Sequence, residues 1–122
     1  MTQKYFEAAH WSDKPEAWHE VSQGVRRRIL GHASTGMMVF YKIDAGAEFP
    51  LHNHPHAQFG LFVEGSGLFR VGNETWKMKS GDTYFIPPGV MHELKTLEKC
   101  LVVDFFTPER EDYVPEALEP DG

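Results

Sequence analysis

The feature that most constrains this chain is a steady alternation, from residue 25 onward, of short β-prone runs with glycine- and proline-bearing turns. The runs cover residues 25–30, 37–44, 57–63, 68–71, 74–78, 83–86, 90–95 and 100–106. Runs of this length, rich in β-branched and aromatic residues, are too short for ordinary helices and have the spacing of an all-β sandwich or barrel. Eight of them suit a jelly-roll β-barrel, in which two sheets share one interior. Gly65-Ser66-Gly67, Gly72-Asn73 and Ser80-Gly81-Asp82 supply the left-handed backbone that tight hairpin turns need.

At 122 residues the chain has room for one core. The expected organisation is an N-terminal arm over 1–24, a barrel over 25–114 and a mobile acidic tail over 115–122. The arm is rich in aromatics (Tyr5, Phe6, Trp11, Trp18), with a short helix expected after Ser12 and Pro15 in its first turn. The chain shows no basic start followed by an apolar stretch and nothing near the ~20 apolar residues of a membrane span. No membrane partner is expected. The single Cys100 lies in an apolar run, reads as a small buried residue and fits a reducing, cytoplasmic setting. The formal net charge is -6, and the only cationic cluster is Arg26-Arg27-Arg28, which argues against nucleic acid as a partner. An anionic substrate would need local cations to capture it.

Chemistry concentrates in Pro50-Leu-His-Asn-His-Pro-His-Ala-Gln58. On a strand, residues two apart face the same side, so His52 and His54 can aim both imidazoles at one point, and Gln58 keeps that parity. Such a set is half of a metal site, although histidine pairs also occur on surfaces. The other half comes from Gly81 through Pro87-Pro88-Gly89 to His92, where the prolines stiffen a reversal that delivers a fourth donor. His56 shares the parity but follows Pro55, and reads as a neighbour of the site or a surface residue. His10, His19 and His32 read as solvated. If Gln58 and His92 face inward, so do Gly60, Phe62, Val90 and Leu94, with Gly60 leaving space beside the ion. Asp104 interrupts a run of valines and phenylalanines; it is either an acid or base with a raised pKa, or else a structural ion-pair partner or a solvent-facing edge residue.

With residues 46–65 and 81–92 in this order and spacing, the sequence resembles the cupin superfamily. That resemblance implies a small cupin jelly roll holding one divalent metal ion (Ni, Zn, Mn, Co or Fe) on His52, His54, Gln58 and His92. Gln58 stands where cupins usually carry glutamate, and Thr96 where an asparagine is sometimes found. An amide leaves the ion's charge less compensated, which favours Lewis-acid work on an anionic substrate; alternatively Gln58 only hydrogen-bonds beside an incomplete site.

The stretch Asp104-Phe-Phe-Thr-Pro-Glu-Arg110-Glu-Asp-Tyr-Val, with His54-Pro-His-Ala-Gln58 and residues 18–30, is similar to the pectin-degradation cupins of the KdgF type. That similarity implies opening of the ring of 4,5-unsaturated monouronates to the linear keto-uronate, an isomerisation in pectin or alginate catabolism. It places Asp104, Phe106 and Arg110 in the active site: Asp104 moving a proton, Phe106 packing on the sugar face, Arg110 clamping a carboxylate of a small anionic sugar acid. The alternatives are a metal-dependent cupin dioxygenase and a non-catalytic cupin that binds metal and sugar acid. Phe59, Leu61 and Val63 alternate with the inward residues yet are apolar, so a homodimer or the N-terminal arm is expected to cover them.

Overall fold

In a computed structural model the structure describes residues 7–121; Tyr5 and Phe6 of the arm lie outside them. Ten strands follow in order: β1 (Trp18–Ser22), β2 (Val25–Ala33), β3 (Gly36–Ile43), β4 (Glu48–His52), β5 (Ala57–Glu64), β6 (Ser66–Val71), β7 (Glu74–Lys79), β8 (Thr83–Ile86), β9 (His92–Thr96) and β10 (Cys100–Thr107). They form a six-stranded sheet ordered β1-β2-β3-β10-β5-β8 and a four-stranded sheet ordered β4-β9-β6-β7. The fold is an all-β jelly roll, with two separately hydrogen-bonded sheets in place of one closed barrel.

Alternation decides what each strand buries. Along β5, Gln58, Gly60 and Phe62 are buried while Phe59, Leu61 and Val63 are exposed; along β10, Val102, Asp104 and Phe106 are buried. Apolar side chains from both sheets meet between them, including Val39 and Ile86 from one and Phe69 and Leu94 from the other. Cys100 is fully buried. Gly65, at φ +98, turns β5 into β6, and a Cβ there would collide with the Lys99 carbonyl and Cys100, so only glycine fits.

Two strands go beyond the eight expected. β4 contains Pro50, which cannot donate to a ladder, but β4 is a sheet edge and its pairing with β9 is irregular between Phe49 and His52. β1 is also an edge, pairing with β2 across an irregularity at Glu20 to Ser22. β9 starts at His92, because Val90 remains in the Pro-Pro-Gly turn. The expected helix after Ser12 is a single 3-10 turn, Pro15–Ala17, with Pro15 in its first positions.

Among the described residues, the segment after β10 packs back on the arm and on β2. Trp11 Nε1 donates to the Leu118 carbonyl at 2.8 Å, Lys14 pairs with Asp121 at 2.9 Å, and Arg27 makes a two-point contact with Glu116 at 2.9 and 2.5 Å. The stretch expected to be a mobile tail is the partner in each of these contacts. Of the three histidines expected to be solvated, two are not simply so: His32 pairs with Glu109 at 2.7 Å and His19 lies 3.3 Å from the Glu116 carbonyl. Among the described residues no helix is long and apolar enough to cross a membrane.

Candidate active site

Between the sheets lies a pocket lined by His52 and His92 from the four-stranded sheet and by Gln58, Asp104 and Phe106 from the six-stranded one. His52 and His92 sit opposite one another on β4 and β9, with ring centroids 4.2 Å apart. His54, in the turn that follows β4, brings its ring to 4.9 Å from His92 and 5.8 Å from His52. One ligand atom from each of the three lies within 4.8 Å of the others.

The tautomers follow from the backbone. His52 Nδ1 is 2.8 Å from the Pro50 carbonyl, His54 Nδ1 is 3.0 Å from the His56 carbonyl, and His92 Nδ1 is 2.9 Å from the Val90 carbonyl. A carbonyl only accepts, so each Nδ1 carries the proton and each Nε2 is left with a lone pair. Burial holds the His92 pKa down to about 4 and, aided by Arg110, lowers that of His54, so both rings are neutral at pH 7. Gln58 Oε1 lies 2.9 Å from His54 Nε2, and with the amide oxygen turned that way two lone pairs face each other. A shared cation relieves that contact. The donor set therefore fits a divalent metal ion of the borderline class.

Gln58 has a second neighbour. On the six-stranded sheet it acts on the Asp104 carboxyl, whose pKa it lowers. An amide can give N–H to a carboxylate while its oxygen faces the imidazoles, whereas a glutamate here would set two carboxylates against each other. This gives a physical reason for the amide at this position.

Asp104 is buried in the pocket wall. Burial raises its pKa to about 6, against the opposing effects of hydrogen bonds from Tyr84 and Gln58 and the charge of Arg110. Tyr84 OH donates to Asp104 Oδ1. The space expected beside Gly60 is not open: a Cβ at Gly60 would overlap the Tyr84 phenol, which occupies it. Phe106, fully buried, stacks edge-on with His54 at 5.5 Å and lines the pocket.

Arg110 lies just beyond β10 and is 9% exposed. Its guanidinium sits 3.9 Å over Tyr113 and 5.1 Å over Phe106. Asp112 takes one edge of the fork, from Nε at 3.1 Å and Nη2 at 2.7 Å, so any substrate acid must use the remaining N–H groups. His56 is buried, and its Nδ1 has no hydrogen-bond partner among the described residues; it is not among the pocket-lining residues.

Tyr84, Tyr41 and Tyr113 also line the pocket, and none of the three is among the site residues expected from sequence. Tyr84 had a signal: it shares parity with Ile86 and pairs with Gly60, a gap on an otherwise filled face. Tyr41 looks like a core aromatic in an apolar strand, and Tyr113 has no periodic context.

A family model for the cupin domain matches residues 39–106, over half of the chain. The chain belongs to the cupin family. Within it, the chain resembles the KdgF type: it is 29% identical over 107 residues to the pectin degradation protein KdgF of Dickeya dadantii, covering 86% of this chain and 97% of that one. The structure of KdgF from Halomonas sp. matches with a TM-score of 0.75 at 35% identity, over 78% of this chain and 90% of its own. An RmlC-like cupin from Shewanella frigidimarina gives a TM-score of 0.81 at 31% identity, over 87% and 96%.

Proposed function

We propose that this cupin is an enzyme that opens 4,5-unsaturated monouronates, with His52, His54, Gln58 and His92 holding one divalent metal ion and Asp104, Phe106 and Arg110 acting on the substrate. The observation that carries the reading is a cluster of three imidazoles, two of which (His52 and His92) line the same pocket as a buried carboxyl whose pKa is raised to about 6. A carboxyl poised near neutrality can both accept and return a proton. The likeness to KdgF proteins supports the substrate class.

When bound, a divalent ion supplies Lewis-acid polarisation of a substrate oxygen. Asp104 takes the proton of the anomeric hydroxyl. The anomeric carbon becomes a carbonyl as its bond to the ring oxygen breaks, leaving the electron pair on that oxygen. Asp104 then returns the proton to the alkene carbon, and the enol oxygen becomes a ketone. Atoms balance and no water is consumed. Phe106 covers the sugar face and excludes water, and the N–H groups of Arg110 not taken by Asp112 receive the substrate carboxylate. The test is the product: an open-chain keto-uronate of unchanged composition, formed without oxygen uptake. Oxygen consumption would favour a dioxygenase, and binding without turnover a carrier or sensor.

Arg110→Ala is expected to raise KM about 10-fold or more with a smaller change in kcat, as read from initial rates, because a carboxylate clamp acts in the ground state as well as the transition state.

The working form is a homodimer. Phe59 is 50% exposed, Val63 46%, Phe85 45% and Phe105 39%, all on the outer face of the six-stranded sheet. The described part of the arm packs elsewhere: Trp11 lies against Gly31 on β2, far from β5 and β8 in the strand order. Sedimentation at micromolar concentration is expected to give a dimer, and Phe59→Glu is expected to shift it towards monomer.

A further inference from the structure

The acid–base role given to Asp104 depends on where its two oxygens point, and the sheet register shows what decides that. Gly60 on β5 is paired on one side with Tyr84 on β8 and on the other with Asp104 on β10. The three residues form one row across the sheet and share its inner face. Tyr84 and Asp104 are thus two strands apart, a separation that a side chain at position 60 would ordinarily fill. Because position 60 is glycine, the phenol lies across β5 in the place of a Cβ and donates to Asp104 Oδ1. The ring itself is held by aromatic neighbours, Phe69 at 4.6 Å and Phe62 at 6.2 Å, both edge-on. Phe62 and Phe69 are 0% and 3% exposed, so Tyr84 has little room to swing away.

We infer that Tyr84 is a positioning residue for Asp104: lying over Gly60, its hydroxyl pins Oδ1 and so turns Oδ2 towards the substrate. The inference rests on the reading of Asp104 as the proton-transfer group. A carboxyl with both oxygens free would rotate about its Cβ–Cγ bond and face the substrate only part of the time. With one oxygen fixed from the far side of the pocket floor, the other is presented in one orientation, which is the kind of alignment on which proton transfer depends. A purely structural tyrosine would satisfy a buried carboxyl without any preference for which step of catalysis suffers on its removal.

The test compares Tyr84→Phe, Asp104→Asn and the double variant, each fully metal-loaded and assayed well below its own melting temperature with unsaturated galacturonate. The expected result for Tyr84→Phe is a fall in kcat of about 10- to 100-fold with KM within about twofold of the parent. In the Asp104→Asn background the same substitution should cost less than about twofold, because its target is already gone. A Gly60→Ala variant, which keeps both the phenol and the carboxyl but forces them apart, should show the same fall in kcat. If Tyr84→Phe keeps near-parental kcat while Asp104→Asn is inactive, the positioning role is wrong and the acid–base reading stands. A loss equal in both backgrounds also overturns the inference, since Tyr84 would then act independently of Asp104. If Asp104→Asn itself turns over at the parent rate, the acid–base reading fails and the inference falls with it.

Discussion

Asp104→Asn is expected to lower turnover of an unsaturated uronate by about 100-fold or more while raising the melting temperature of the metal-free protein. The two effects have one cause. The carboxyl is buried, with its pKa raised from 3.8 to about 6. Between those values the folded state binds more protons than the unfolded chain, so this group's contribution to stability is fully present below the unfolded pKa and is lost as pH rises through 6. At pH 7 the ionised group therefore costs stability, on the order of 2–3 kcal/mol at one pKa unit per ~1.4 kcal/mol. Asparagine keeps the acceptor for the Tyr84 hydroxyl and removes the charge, so it gains most of that difference at pH 7 and almost none near pH 4. Thermal melts of both metal-free proteins across this range provide the check. A destabilised, inactive variant would instead mark Asp104 as a structural residue, whereas an inactive and stabilised one marks stability given up for chemistry.

The second large effect is on the ion. His92→Ala and His52→Ala should each lose stoichiometric metal and activity together, as measured by metal analysis of the purified variants beside the activity assay. These two rings come from paired positions on β4 and β9 and approach to 4.2 Å, so removing either takes away a side of the cluster. The Nδ1 atoms of His52, His54 and His92 are committed to the carbonyls of Pro50, His56 and Val90, so neither ring remaining in a variant can present a second donor nitrogen. A remaining centre of two imidazoles and one neutral amide has no charge with which to compensate. Retention of full metal by His92→Ala would show that the ion lies elsewhere.

The sequence made much of this legible, for identifiable reasons. Alternation along β5 and β10 was readable because each strand has one buried and one outer face, and it brought Gln58, Gly60, Phe62, Asp104 and Phe106 to the interior. The histidines were readable because they cluster within residues 52–54 and because Pro87-Pro88-Gly89 leads into His92; the expected strand parity does not account for His54, which lies in the turn after β4. β4 was less so, since Pro50 reads as a strand breaker unless the strand is known to be an edge. Tyr84 escaped because its role arises from register across three strands, and cross-strand register is a tertiary property. The Arg110–Asp112 and Arg27–Glu116 pairs depend on how the chain folds back after β10, which no periodic signal encodes. Gln58 was visible as a departure, but the reason for an amide, its position between the imidazoles and Asp104, needed the two sheets brought face to face.

In the proposed reaction the pocket opens an unsaturated uronate with the help of a bound ion. Its most direct test is to mix purified, metal-loaded protein with unsaturated galacturonate and follow the absorbance of the conjugated enol ether, beside a sample stripped with chelator. Rapid loss of that absorbance is expected with loaded protein, a rate near the uncatalysed one after stripping, and recovery when metal is returned. Absorbance that decays no faster with loaded protein than in buffer, across all the candidate metals and with mannuronate-derived substrate as well, would contradict the proposed reaction.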